Sequence, residues 1–177
     1  MDERLIEAIK RDSLLEVEKI LKSQEIDLNQ DISIAREYNL EEDEEIPFIF
    51  YLVLIGASLD MFKLLLKYGL DINYATKEGL SLIDYAIKHR RIDILKLCKE
   101  SGFNLNESRR KSKITPLMLA ASFNDQEIAE YLINEGVSID KVDNFGMNAL
   151  DYARKLGQKR MEEFLKSKGA KHHFYKK

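Results

Sequence analysis

The chain has 177 residues and a formal charge of −3, with 45% apolar and 33% charged residues. This is the composition of a soluble folded protein of one-domain size, which excludes a disordered chain. Its apolar runs, of which "IPFIFYLVLIGA" (46–57) is the longest, fall short of the roughly 20 residues that span a bilayer, and the early acids of "MDERLIEAIKRDS" oppose a secretory signal, so a cytoplasmic protein is expected.

Two Pro and eight Gly leave little punctuation, and Leu, Ile, Lys and Glu dominate, so mostly helix is expected, with few strands. In chain order, "RLIEAIKRDSLLEVEKILKSQEIDLN" (4–29) predicts a first helix pair with the small residue Ala8 inside it. "DISIAREYNL" (31–40) sets Ile32, Ile34, Ala35, Tyr38 and Leu40 at spacings that predict a short helix with an apolar side. The acidic run "EEDEE" (41–45) follows. Pro47 is then read as the start of a packed helix in "IPFIFYLVLIGASLDMFKLLLKYGLDIN" (46–73), where Val53 and Leu54 stand at positions that are small elsewhere. That helix is expected to be displaced or more deeply buried.

Three further pairs follow: "LSLIDYAIKHRRIDILKLCKESGFNLN" (80–106), "TPLMLAASFNDQEIAEYLINEGVSID" (115–140) and "MNALDYARKLGQKRMEEFLKSKGA" (147–170). Thr115 and Pro116 form a cap and first-turn pair, with Leu117, Ala120 and Ala121 behind them at helical spacing. Gly69, Gly102, Gly136 and Gly169 recur at intervals of 33, 34 and 33 residues, where a helix end needs positive φ. The first three introduce the tetrads "LDIN", "FNLN" and "VSID". Ala86, Ala120 and Ala153 recur where neighbouring first helices must approach closely. None of these helices is long enough to be stable alone in water, so adjacent units must stack and share a core. Leu65, Leu66, Leu117, Ala120, Ala121, Leu132 and Leu165 are its expected members. Cys98, the only cysteine, lies among leucines in "ILKLCKES" and reads as a quiet core thiol.

This pattern resembles the ankyrin repeat family, whose period is 33 residues and whose unit is a turn followed by two antiparallel helices. Residues 115–140 carry the resemblance most fully, with Met118 where the family usually has histidine. The first unit has Gln24 or Glu25 in place of the glycine. The resemblance implies an all-α ankyrin-repeat solenoid of about five helix-turn-helix units in a single domain, 1–177, with an extended first inter-repeat loop. The units are expected at 1–30, 46–78, 79–111, 112–145 and 146–170, with an insertion within 31–45 and a basic tail at 171–177. It also implies a protein-protein interaction module rather than an enzyme, binding through projecting turns and the exposed side of the first helices.

Candidate contacts follow from that register. Between Asn29 and Phe48 stand 18 residues, where the later turns from Asn73 to Ser81 and from Asp140 to Asn148 have seven. The excess contains Glu41, Glu42, Asp43, Glu44 and Glu45. Lys77 lies in the second turn. The third, "NESRRKSKIT", carries Arg109, Arg110, Lys111 and Lys113. The acidic and basic turns are two repeats apart, on the order of 20 Å, beyond the Debye length of about 10 Å at 0.1 M salt, so they are expected to act separately. The fourth, "DKVDNFGMN", sets Asn144 and Phe145 at a tip, where an exposed aromatic is a binding anchor. His89 and Phe123 end first helices and are groove candidates. Charged turns are also ordinary solvated faces, and cations at helix ends suit the dipole.

Rival chemistry finds less support. His172 and His173 lie in "GAKHHFYKK" (169–177) without Cys or Asp at ligand spacing, and a flexible basic terminus is the expected reading. Tyr51, Tyr85, Tyr131 and Tyr152 leave a haem- or metal-binding accessory protein as the alternative function. Asp84 and Asp151 share one repeat position, which suits capping rather than paired catalysis. Nucleic acid and membrane are not expected partners, given the negative charge and the lack of a reading helix or amphipathic anchor. The expected partner is another protein, with no cofactor.

Overall fold

A computed structural model describes residues 1–34 and 44–174. Ten helices among the described residues form five pairs, and the chain divides into two compact units, Met1–Tyr74 and Ala75–Lys177.

The first unit contains α1 (Glu3–Lys10), α2 (Leu14–Ser23), β1 (Asp31–Ser33), β2 (Glu45–Pro47), α3 (Phe48–Leu54) and α4 (Leu59–Lys67). Asp2 caps α1 by accepting from the Arg4 and Leu5 amides, and Leu5, Ile6, Ala8 and Ile9 turn inward. Helix α3 is buried at every residue from Phe48 to Val53, whereas Leu54, the other bulky residue at a position small elsewhere, is half-buried. Leu65 is fully buried, whereas Leu66, expected in the core, is half-buried.

The segment expected to open as a helix at Asp31 is instead a strand. β1 pairs antiparallel with β2, matching Asp31 with Pro47, Ile32 with Ile46 and Ser33 with Glu45. The Asp-Ile-Ser-Ile alternation has the period of two that a half-buried strand requires, and the pairing buries Ile34 and Ile46. Pro47 ends the edge strand, where its missing N–H costs no ladder bond, and the helix begins one residue later. Glu44 and Glu45 are exposed at the base of this hairpin. Ala35, Tyr38, Leu40, Glu41, Glu42 and Asp43 lie outside the described residues.

The second unit contains α5 (Leu82–Lys88), α6 (Ile92–Glu100), α7 (Pro116–Ser122), α8 (Gln126–Asn134), α9 (Ala149–Lys155) and α10 (Lys159–Ser167). The first helices α5, α7 and α9 stack in order, and Ala86, Ala120 and Ala153 are all 0% exposed. A larger side chain has no space there. Leu117, Ala121, Leu132 and Leu165 are buried with them. Burial pushes the Cys98 thiol up to about 12, so it is inert as a nucleophile.

The repeating glycines end α4, α6, α8 and α10 at φ between +81° and +97°. In the first unit α2 ends instead on extended Gln24, whose side-chain Nε2 donates to Asp2 Oδ2 at 2.6 Å. Asn29, which closes the first helix pair, and Asn106 and Asp140, which close two of the tetrads, have a role that alternation alone does not reveal. Asn29 Oδ1 accepts the Asp71 amide at 2.7 Å, Asn106 Oδ1 accepts the Ser138 amide at 3.1 Å, and Asp140 Oδ1 accepts the Lys171 amide at 3.5 Å. Each donor lies two residues past a repeat glycine. At these three places one polar side chain satisfies a backbone donor further along the array.

Candidate partner-binding surface

In the second unit the turn tips pass backbone hydrogen bonds from one repeat to the next. The Lys111 amide donates to the Glu78 carbonyl at 3.1 Å, and the Asn144 amide donates to the Ser112 carbonyl at 3.0 Å. Asn144 Nδ2 also donates to the Lys111 carbonyl at 2.7 Å, so its side chain is a tie between turns as well as an exposed surface group.

The four cations of "RRKSK" face different surroundings. Arg110 pairs through Nε with Asp84, a buried carboxylate that also accepts the Ser81 amide and hydroxyl at 2.7 and 2.8 Å. An unpartnered polar group this buried is costly, so Arg110 is a clasp from the third turn onto α5 and not part of a free basic patch. The Arg109 guanidinium sits 4.9 Å from the centre of the Phe103 ring, a cation-π contact. Lys77, Lys111 and Lys113 remain exposed. Exposed Lys141, which the spacing argument did not select, joins them, with Nζ donating to the Asn106 carbonyl at 2.7 Å.

Lys113 adopts φ +62° where the matching positions of the neighbouring turns are Gly79 and Gly146. An L side chain in this region costs roughly 1–2 kcal/mol. Lys113→Gly should therefore raise stability by about 1 kcal/mol, read as a higher urea midpoint; an unchanged or lower midpoint would contradict the assignment.

Phe145 is 62% exposed, on a turn that is held from within. Buried Asp143 accepts the Phe145 and Met147 amides through Oδ1 at 2.9 and 3.0 Å, and its Oδ2 accepts the Tyr152 hydroxyl at 2.5 Å. Burial, together with that carboxylate, pushes the Tyr152 phenol above its ordinary range. An exposed aromatic therefore stands on a fixed backbone.

His89 and Phe123 occupy the ends of α5 and α7. His89 is half-buried and stacked on Tyr85 at 6.0 Å, and burial followed by the charge of Lys88 lowers its pKa. Phe123 is 40% exposed.

The start of the C-terminal segment does not behave as a free terminus. Asp151, 0% exposed, accepts His172 Nδ1 at 2.9 Å and the His173 and Phe174 amides at 3.0 and 2.8 Å. Asn148 Nδ2 donates to the Lys171 carbonyl at 2.7 Å. Burial works against the charged form of Asp151, but the bonds from Phe174, His172, Asn148 and His173 outweigh it and lower its pKa. The expected flexibility of 171–174 is thus replaced by docking on α9. No group of three His, Cys, Asp or Glu with metal-holding geometry occurs among the described residues, and Tyr51 is 1% exposed. No helix among them is long and apolar enough to cross a membrane.

Residues 96–175 match the family described as ankyrin repeats (3 copies), and residues 49–97 match ankyrin repeats (many copies). The chain is 31% identical over 93 residues to the ankyrin repeat protein FPV244 of Fowlpox virus (strain NVSL), covering 52% of this chain and 13% of that protein. It is 33% identical over 72 residues to alpha-latrotoxin-Lg1a of Latrodectus geometricus, covering 40% and 5%. It is 26% identical over 102 residues to the NF-kappa-B inhibitor cactus of Drosophila yakuba, covering 56% and 21%. The matched stretch is thus a small part of each relative's own length.

Proposed function

The chain belongs to the ankyrin repeat family, and from that premise we propose that it binds another protein through the turn tips of its second unit, with Phe145 as the apolar anchor. Repeats of this family are protein-interaction modules. The observation that carries the reading is an aromatic side chain, 62% exposed, on a turn fixed by Asp143, Tyr152 and Asn144. Such an anchor loses little conformational freedom on binding, which favours affinity. Arg109, Lys111 and Lys113 on the turn bonded to it, with Lys77 one turn further, put positive charge along this edge and favour a partner of opposite sign. The Glu41 to Glu45 run is proposed as a separate acidic contact. One relative is named an inhibitor of NF-kappa-B, which supports the class of function without carrying its partner to this chain.

Affinity capture from native lysate tests the reading. Phe145→Ala should weaken recovery of the partner by about 30-fold, the loss of about 2 kcal/mol typical of a buried aromatic anchor, with helical content unchanged. Equal recovery by wild type and Phe145→Ala would remove the turn tip from the interface. A variant neutralised at Glu41 to Glu45 tests the acidic contact by the same assay.

A further inference from the structure

At the other end of the first helices, the second unit carries a second row built from the loops at 88–91, 122–127 and 154–160. Two contacts bind these loops together. Arg90 Nε lies 3.6 Å from Asp125 Oδ2, and Gln158 Nε2 donates to the Ser122 carbonyl at 3.4 Å. Along the row, Lys88, Arg90, Arg154, Lys155, Lys159 and Arg160 are exposed, against one exposed acid, Glu127. The other acid, Asp125, is 8% exposed and already caps α8 by accepting the Ile128 amide at 3.0 Å. Among the cations sit Phe123 and Leu156, 40% and 50% exposed, at the same position of successive repeats.

One position of the row is strained. The loops turn through a residue of positive φ, which is Asn124 at +54° and Gly157 at +68° but Arg90 at +56°. Asn and Gly adopt this conformation readily, and Arg does not. A long cation is held there despite the backbone cost, as expected of a contact residue.

We propose that this row is a second docking surface, distinct from the turn tips, for an acidic protein segment carrying apolar side chains. The charge selects the sign of the partner. Phe123 and Leu156 select its pattern: one repeat apart, they are separated by roughly 10 Å, close to the ~10.5 Å between helical residues seven apart. Two partly exposed apolar side chains offer little to insert into a bilayer, and an apolar pair of fixed spacing gives a nucleic acid backbone nothing to match.

The test uses the full chain and a fluorescent synthetic helix of glutamate and alanine with leucine at every seventh position. Its controls are a peptide of the same composition with scrambled leucines, phosphatidylserine-containing vesicles, and oligo-dT. The proposal expects saturable binding of the first peptide, with amide shifts at 88–91, 122–127 and 154–160. The combined Lys155→Glu, Lys159→Glu and Arg160→Glu variant should weaken it roughly tenfold or more, and Phe123→Ser with Leu156→Ser should reduce it to the scrambled level. Arg90→Gly should weaken it without lowering Tm, while Phe145→Ala should leave it unchanged, which separates this surface from the turn tips. Equal binding of the scrambled peptide, preference for vesicles or oligo-dT, shifts confined to 109–113 and 144–146, or no saturable binding would each overturn it.

Discussion

Replacing Gly79 with alanine should destabilise the second unit by about 3 kcal/mol, the sum of a left-handed backbone penalty of about 1–2 kcal/mol and an overpacking cost of about 1–3 kcal/mol. Gly79 has φ +86°, and a Cβ built there would overlap the Arg109 carbonyl and lie 2.8 Å from the Arg110 Cα. These are backbone atoms of the next turn, so no side-chain rotation relieves the overlap. The two turns would have to separate, weakening the Lys111 to Glu78 bond and the approach of Arg110 to Asp84. Gly146 supplies the control. It occupies the matching turn position at φ +73°, with open space where its Cβ would stand, so Gly146→Ala should cost only the backbone term, about 1–2 kcal/mol. Urea midpoints measure both. Equal losses would show that conformation, and not contact between turns, sets the requirement for glycine at 79.

This pair of glycines shows what one chain read alone can and cannot reveal. The recurrence that ends the second helices is legible because positive φ leaves a direct mark on residue choice. Thr115 as a cap is legible for the same local reason: its hydroxyl accepts the Met118 amide at 3.4 Å, and Met118 Sδ takes the Thr115 amide at 3.3 Å. The crowding at Gly79 comes from residues 30 positions away and leaves no such mark. The same holds for the candidate site. Arg109, Arg110, Lys111 and Lys113 look alike in sequence, yet one clasps Asp84, one lies over Phe103 and two face solvent. Asn106 and Asp140 are visible as the polar ends of tetrads and Asn29 as the end of the first helix pair, but their acceptor role depends on a segment far along the chain. The strand at Asp31–Ser33 was missed because so short an alternation fits either period until its partner at Glu45–Pro47 is known. Exposure of Phe145, in contrast, was legible from a turn too short to cover its own tip.

The docked C-terminal segment was the least legible feature, because its anchor, Asp151, lies about two turns of α10 and a loop earlier in the chain and reads as an ordinary cap. Asp151→Ala should cost about 3 kcal/mol or more, the scale of breaking a buried charged network by removing one partner. The cost arises because the Asn148, His173 and Phe174 amides and His172 Nδ1 all lose their acceptor. Asp151→Asn should fall between the two, since one carbonyl oxygen remains but the charge opposite His172 does not. The depressed pKa of Asp151 fixes the sign of the pH dependence. Its contribution is complete above the unfolded carboxylate value of about 3.9 and is lost as pH falls through the lower folded value. Hydrogen-exchange protection of the His173 and Phe174 amides should therefore persist from neutral pH through about pH 4 and disappear only as the pH falls further, through the lower folded value, while Asp151→Ala should show no protection at any of these pH values. Glu162 lies 3.6 Å from His172 Nε2, so an alternative anchor is at hand. If protection survives in Asp151→Ala and is lost instead in Glu162→Gln, the segment is held by the α10 carboxylate and the role assigned to Asp151 is wrong.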